Sequence, residues 1–423
     1  MTLKVAHLLR KYDPSEWGGT ETVIHQLLQG WRDGGIESVV YCPELPRRPA
    51  GPDPLEEAGG TVRRFRACVP VWGIAEERRR QLVAVGGNLM SFDLIPALWR
   101  EPGVDLIHAH ALGRVGGIGL TVARRRRLPF VVTVHGGLYD LPAALRRPAP
   151  AAGPRGWEWG KAFGWLLRAR AVVTEADAVL TCNPREADLI RARHPGLRVI
   201  VQPHGVPAAR YAVDQRAVAR AAFPEMAGRE VVLAVGRIDA VKNQGWLLEH
   251  LTILRARHPG ALLVLAGACT DEAYGRALEQ RIAELGLGPH VLLTGRLPPG
   301  DPRLVGLLQE ARVVVLPSVS ETFGLVILEA WAAGTPVVSS RTSGAEALIV
   351  PGETGWLFDL AQPAGFLAAM SDALESPARR ECVVAATAAR VRDEFDARVV
   401  ARRMADLYGE LTEDTHALRG PAG

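Results

Sequence analysis

The chain has 423 residues, 48% of them hydrophobic, with 44 glycines and 30 prolines, which is enough for two domains with full cores and many tight strand–helix turns. Its apolar runs are strand-sized and fall short of the roughly 18–20 residues of a membrane-spanning helix, and no signal-peptide pattern precedes the first strand. The 5 cysteines (Cys42, Cys68, Cys182, Cys269, Cys382) form no CxxC pair, which argues against a disulfide framework or a zinc site and for reduced thiols in a cytoplasmic protein. The net charge of +4 is unevenly spread: residues 1–205 carry 28 Lys plus Arg against 20 Asp plus Glu, and the remainder 22 against 26. Basic clusters at Arg78-Arg79-Arg80, Arg124 to Arg127 and Arg146-Arg147 suit a peripheral contact with anionic lipid headgroups or an anionic acceptor, or simply a solvated arginine-rich surface. Nothing in the pattern calls for nucleic acid.

In chain order, a first strand is expected over Lys4 to Leu9. Gly18-Gly19-Thr20-Glu21 then opens a helix over Thr20 to Arg32. Glycines there let a backbone approach a ligand and the helix start offers N–H donors, although a tight turn is the plainer explanation of the pair taken alone. No GxGxxG is present, which disfavours a nicotinamide enzyme. Further strands are expected at Ser38 to Tyr41, Leu106 to Ala109, Phe130 to Val134, Ala178 to Thr181 and Arg198 to Val201. All are apolar on both faces, as parallel strands are. His108 and His110 end one strand and His135 follows the next. The His-x-His spacing puts two imidazoles on one strand face, but no third ligand is apparent, so no metal site is read and His108 is taken as a packed core histidine. Trp157, Trp159 and Trp165, near Arg146-Arg147, suit either an acceptor surface or helix packing. His204 is assigned no role.

Residues 206–229 have mixed polarity and no strand, and are expected to link a domain over 1–205 to a second over 230–396. The second domain repeats the alternation, with strands at Val231 to Val235, Leu262 to Ala266, Val291 to Thr294, Val313 to Leu316 and Pro336 to Ser339. A run of helices starts at Pro363. The last, over 397–415, is followed by a tail at 416–423.

Two stretches of this half carry chemistry. Arg237 and Lys242 are five residues apart across the turn after the first strand, where two cations can converge on a diphosphate. Pro317 to Val338 reads strand, turn, helix, strand, with Glu321 in the turn and Glu329 inside an apolar helix. The N–H groups of Phe323, Gly324 and Leu325 stand at the helix N-terminus, a favourable phosphate position. A carboxylate on each side of a phosphate cradle suits a sugar nucleotide, whose hydroxyls lie at both ends of a diphosphate. The plainer alternative is an ordinary strand–turn–helix with an N-terminal acid and a solvated glutamate.

The stretch from Pro317 to Val338 resembles the two-glutamate signature of retaining GT-B glycosyltransferases, specifically glycosyltransferase family 4 (group 1 glycosyl transferases). The resemblance implies an α/β fold of two doubly wound Rossmann-like domains with a cleft between them. It implies that Gly18 and Gly19 contact the donor diphosphate, that Arg237 and Lys242 neutralise the leaving group, and that His135 lies beside the transferred sugar. Glu321 with Thr322, Phe323, Gly324 and Leu325 would hold sugar and phosphate, Glu329 the ribose, and Gly295 and Arg296 the neighbourhood of the base. The implied activity is transfer of a hexosyl-type sugar from a uridine or guanosine diphosphate sugar to a hydroxyl of a glycan, lipid-linked or small-molecule acceptor, with retention. The chain lacks a convincing Asp-x-Asp metal motif, so no metal or other cofactor is expected, and it offers no clear carboxylate nucleophile for a double displacement, so front-face attack is expected, in the cytoplasm or at the inner face of its membrane. A GT-B-related epimerase or a non-catalytic sugar-nucleotide-binding protein is the alternative.

Overall fold

The structure is a computed structural model that describes residues 2–14, 17–32, 34–45, 51–84, 86–87, 89–140, 157–298 and 300–419. The chain forms two compact units, Met1–Pro203 with Ala397–Gly423, and His204–Asp396.

The first unit holds β1 (Leu3–Leu8), β2 (Ile36–Pro43), β3 (Thr61–Phe65), β4 (Val71–Trp72), β5 (Leu106–Ala109), β6 (Phe130–Val134), β7 (Trp157–Glu158), β8 (Ala178–Thr181) and β9 (Val199–Val201). Seven of them form a parallel sheet in the order β3-β2-β1-β5-β6-β8-β9, while β4 and β7 pair antiparallel on their own. Sequence reading missed β3, whose Thr-Val-Arg-Arg-Phe run is largely exposed and lies at the sheet edge, where strands carry charge. Both faces of the sheet are covered. Ala6, Leu8, Ile107, Ala109, Val132 and Val134 point into one core. Val5, Leu9, Leu106, Val131 and Leu180 point into another, which includes Val400, Met404 and Tyr408. The last three belong to the helix Ala397–Arg419, anchored by the Trp31 indole N–H on the Ala401 carbonyl (2.8 Å) and by Arg198 paired with Glu410 (2.7 Å). Where a tail was expected from 416, this helix instead runs on to Arg419, and 420–423 lie outside the described residues.

The second unit holds β10 (Glu230–Val235), β11 (Ala261–Ala266), β12 (Val291–Gly295), β13 (Val313–Leu316), β14 (Val337–Ser340) and β15 (Trp356–Phe358), a parallel sheet in the order β12-β11-β10-β13-β14-β15. β15 is a three-residue edge strand, too short to register as a pattern. The expected linker is instead part of this unit. It folds into the helices Ala208–Ala212 and Arg216–Ala222, and Gln309 of the helix Pro302–Glu310 accepts from Gln215 N–H and donates to the Tyr211 and Val213 carbonyls, each at 2.8 Å. Short helices held by polar bridges look, in sequence, like mixed-polarity linker.

In both sheets the strand order reverses beside the first strand, at β1/β5 and at β10/β13. Such a switch point leaves a crevice at the carboxyl ends of the strands, where ligands of open α/β sheets bind. Two of the three basic clusters are partly used in the fold. Arg79 donates to the Val69 and Val71 carbonyls, Arg124 pairs with Asp177, and Arg126 donates to the Leu98 carbonyl. The third, Arg146-Arg147, lies outside the described residues. Among the described residues no helix is long and apolar enough to cross a membrane.

The packing of the last helix makes a stability prediction. A Cβ on Gly30 would stand 2.4 Å from the Ala401 Cβ and 3.1 Å from the Ala397 carbonyl. Gly30→Ala overpacks this crossing at a cost of about 1–3 kcal/mol. Calorimetry should show the first unit melting several degrees lower, with the transition of the second unit unchanged.

Candidate functional site

The chemistry expected of the second unit gathers at its switch point. The turn after β10 is shaped by buried Asp239, whose Oδ1 accepts from the backbone N–H of Val241 (3.0 Å) and Lys242 (2.9 Å) and whose Oδ2 pairs with Arg237 at 3.2 Å. The loop after β13 is stitched to this turn by the Val319 N–H on the Val241 carbonyl (2.8 Å) and by Asn243 Nδ2 on the Pro317 carbonyl (3.2 Å). Lys242 and Glu321 thereby meet as a direct ion pair with both side chains mostly buried. Sequence spacing had put Lys242 beside Arg237. The fold keeps them on one turn and gives each a carboxylate partner.

The Glu321 carbonyl accepts from Gly344 N–H (2.8 Å), fixing the turn that enters the helix Leu325–Ala332. Its cap, Gly324, has φ +90°, and a Cβ there would lie 2.8 Å from Ile327 Cδ1, so only glycine fits. The Ile327 N–H turns back to the Gly324 carbonyl (2.9 Å), which leaves the N–H groups ahead of it at the helix start without an intrahelical acceptor, and Leu325 is the first helical residue. Thr322 is half-buried in the turn, and Phe323 is buried edge-on against His204, with ring centroids 4.8 Å apart. Burial pushes the His204 imidazole down to about 4 and keeps it neutral, so it acts as packing under the turn. Gly295 and Arg296 lie exposed at the carboxyl end of the edge strand β12, tied inward by Gly267 N–H on the Gly295 carbonyl (3.0 Å).

Glu329 is buried inside the apolar helix, not on a solvated face. Burial pushes its carboxyl up to about 7, partly opposed by a hydrogen bond from the Tyr211 hydroxyl and by the nearby Arg210 charge. Tyr211 and Arg210 come from the segment read as linker, and Asp239 was not singled out. The Asx turn of Asp239, three residues before Lys242, was the one available signal; nothing in the sequence ties Tyr211 to Glu329.

The first unit holds the other expected residues. Gly18 caps the helix Gly19–Trp31. Glu21, its third residue, is buried and turns its carboxylate back to the Gly18 N–H, the acidic half of a capping box whose other half a glycine cap cannot supply. A Cβ on Gly18 would meet Glu21 Oε2 at 2.8 Å, whereas Gly19 is exposed. His135, past β6, sits half-buried with its Nε2 2.8 Å from His110 Nδ1. Glu186, buried on the helix Pro184–Arg193, accepts the Tyr139 and Asp140 N–H groups at 3.0 Å and holds the loop that follows. The third histidine that the sequence did not reveal comes from β1: His7, His108 and His110 lie with ligand atoms within 4.8 Å of one another. Both nitrogens of His108 are already engaged, with Tyr408 OH and Thr133 Oγ1, each at 2.6 Å.

Comparison with known proteins matches this architecture. The family model of Glycosyl transferases group 1 matches residues 215–390, and that of the Glycosyl transferase 4-like domain residues 18–205. A D-inositol 3-phosphate glycosyltransferase of Thermobispora bispora is 31% identical over 413 residues, covering 94% of this chain and 91% of its own. The chain belongs to the group 1 glycosyl transferases. Among solved structures, this glycosyltransferase is similar to sucrose-phosphate synthase from Thermosynechococcus elongatus (TM-score 0.74, 23% identity, 97% of this chain and 100% of that one). It is also similar to Anabaena HepE in complex with UDP-glucose (TM-score 0.69, 20% identity, 96% and 100%). The fold is GT-B: two α/β units, each on a parallel sheet.

The environment of Glu329 gives a pH signature for the glycosyltransferase. Its folded value of about 7 exceeds the ordinary 4.5, so its contribution to stability is full below 4.5 and is lost as pH rises through about 7. Glu329→Gln lacks this loss. Between pH 4.5 and 8 the parent should lose on the order of 1–3 kcal/mol relative to the variant, read from denaturant melts of the two proteins at each pH.

Proposed function

We propose that this glycosyltransferase moves a hexosyl sugar, with retention, from a nucleoside-diphosphate sugar to a hydroxyl of its acceptor, without a divalent metal. The reading rests on one observation: at the β10/β13 switch point two stitched loops bring Lys242 and Glu321 into an ion pair, at the entry of a helix that starts at Gly324 and carries the buried Glu329. Arg237, Lys242 and the first N–H groups of the helix supply fixed positive charge for a departing diphosphate, where charge builds up in the transition state. That is the work a metal does in other transferases. Glu329, under Tyr211, accepts hydrogen bonds from the ribose, and Glu321 from hydroxyls of the sugar. Glu321 is held by Lys242, which suits an acceptor of hydrogen bonds better than a nucleophile. Attack is then on the front face through an oxocarbenium-like state, with the leaving phosphate taking the proton of the acceptor hydroxyl. Uridine diphosphate glucose is the first donor to test, because the Anabaena neighbour is held with it, and guanosine diphosphate sugars are the second.

Incubation with uridine, guanosine and adenosine diphosphate sugars, followed by NMR of the anomeric proton, should give an α-linked product from an α-linked donor. An epimerised sugar nucleotide or an inverted product would overturn the reading. EDTA should leave the rate within about twofold. Glu321→Gln should lower turnover by roughly 10²-fold or more with donor affinity nearly unchanged, because its contact matters most as the ring distorts. Glu329→Gln should weaken binding of the bare nucleoside diphosphate.

The acceptor side belongs to the first unit, in the cytoplasm at the inner membrane face. Trp72 and Trp165 are 61% and 84% exposed, with Phe92 and Leu166 exposed as well, so Trp165 is not a core residue. Trp72, Trp159, Phe163 and Phe92 form one chain of ring contacts, and Lys161 and Arg170 stand exposed in the same segment. Interfacial aromatics beside basic side chains are the chemistry of a peripheral lipid contact. The chain should sediment with vesicles containing 30% phosphatidylserine and not with neutral ones, and Trp72→Ser with Trp165→Ser should weaken this about tenfold or more. Equal sedimentation of parent and double variant would remove this face from the membrane.

A further inference from the structure

A hollow of about 600 Å³ opens in the first unit, between the start of the helix Gly113–Arg126 and the helix Lys161–Leu166 with the turn that follows it. Gly113 stands shortly after β5, the strand beside which the sheet order reverses. The hollow therefore borders the crevice where an open α/β sheet takes its ligands. Its wall is held in place by close packing. Glycine weakens a helix interior, yet Gly116 and Gly117 lie in the first turns of this one. A Cβ on Gly117 would stand 2.8 Å from the Ala169 Cα, and one on Gly116 3.0 Å from Val172 Cγ1. The two glycines thus let the turn lie directly on the helix. Thr121 Oγ1 then donates to the Leu167 carbonyl and Arg114 Nε to the Gly160 carbonyl, each at 3.1 Å.

The side chains of the hollow are strongly biased in charge. Arg114, Lys161, Arg168 and Arg170 line it with one carboxylate, Glu158, which Arg114 takes up as an ion pair. Lys161 and Arg170 are exposed and have no carboxylate partner among the described residues. Arg168 has left-handed backbone (φ +56°), which strains an L side chain and suits glycine better. The chain nevertheless carries arginine there, with its guanidinium braced by Glu175 at 2.6 Å. Cations gathered without matching counter-charges attract an anion. Guanidinium groups match phosphate oxygens in pairs, and an ammonium adds a point charge. Trp165, on the same wall and 84% exposed, presents a ring face to whatever enters.

We propose that this hollow is an acceptor subsite for a phosphate group, held by Lys161, Arg168 and Arg170, with the hydroxylated body that carries it against the Trp165 ring. The assignment to the acceptor rests on the reading of the first unit given above; the binding of phosphate does not. The phosphate belongs either to a soluble sugar or polyol phosphate or to a lipid headgroup.

The test follows the indole N–H signal of Trp165 in ¹H–¹⁵N spectra of the full chain, assigned by its loss in Trp165→Phe. Glucose 6-phosphate should shift this signal saturably and glucose should not. Lys161→Gln with Arg170→Gln should weaken the effect about tenfold or more, the scale of losing charge-assisted hydrogen bonds. Arg125→Gln with Arg127→Gln removes the same charge elsewhere on the unit and should leave it within about twofold, as should Lys242→Ala in the other unit. If glucose 6-phosphate gives no shift, sedimentation with vesicles containing 30% phosphatidic acid reads the headgroup. Loss of about tenfold in the first double variant and not in the second then supports the subsite with a lipid as its source. No shift and no such loss, or equal behaviour of the two double variants, overturns the proposal. Phosphate binding in a chain that turns over no sugar nucleotide leaves the subsite standing and sinks the function. Transfer to acceptors without phosphate, at equal rates in parent and first double variant, removes the subsite and leaves the function.

Discussion

Both units obey one topological constraint: a parallel sheet, buried on both faces, whose order reverses beside its first strand. Crossovers between parallel strands are right-handed, so chains leaving the two strands at a reversal turn to opposite faces of the sheet. The loops at their carboxyl ends part instead of covering one another. The strands themselves can hold little chemistry, because their neighbours on both faces are apolar. Charged side chains are therefore displaced to the strand ends, and those at the reversal are the ones beside the crevice. Arg237 and Lys242 after β10, and Glu321 after β13, stand there for this reason.

Parting loops would be poorly positioned without cross-bracing, which the backbone supplies. Asp239 folds one turn on itself, and Val241 and Asn243 bond across to the other loop. Gly344 ties down the carbonyl of Glu321 from a third segment. These charges are thus held at fixed positions by the fold, the condition that the proposed stabilisation of a departing diphosphate requires.

The two units hold their polar groups by different physics. In the second, Arg237 and Lys242 each have a carboxylate beside them, whereas Glu329 is buried with the Tyr211 phenol and only the charge of Arg210 to oppose its burial. In the first, the sheet face beneath the last helix carries neutral imidazoles. Burial suppresses the charge of His7 and His108, and their hydrogen bonds run to one another, to Thr133 and to Tyr408. Neutral rings tolerate such a core where charged ones would not.

The amino-acid sequence by itself determined the secondary structure that repeats: short β-branched runs separated by capped helices imply buried parallel strands, and the Glu321–Glu329 stretch and the Arg237–Lys242 turn are legible as local patterns, though not the partners their side chains take. The edge strands β3 and β15 escaped because an edge is only half buried and its pattern is diluted by charge or brevity. The segment 206–229 escaped because its helices are stabilised by Gln309, almost a hundred residues away. The same distance hid Tyr211 above Glu329, and it hid His7, whose part in the histidine cluster exists only because β1 pairs with β5. Local spacing reports what one element does with its own neighbours. Which titratable groups meet, and so which are paired and which stay neutral, depends on contacts between residues remote in the chain, and these only the tertiary structure decides.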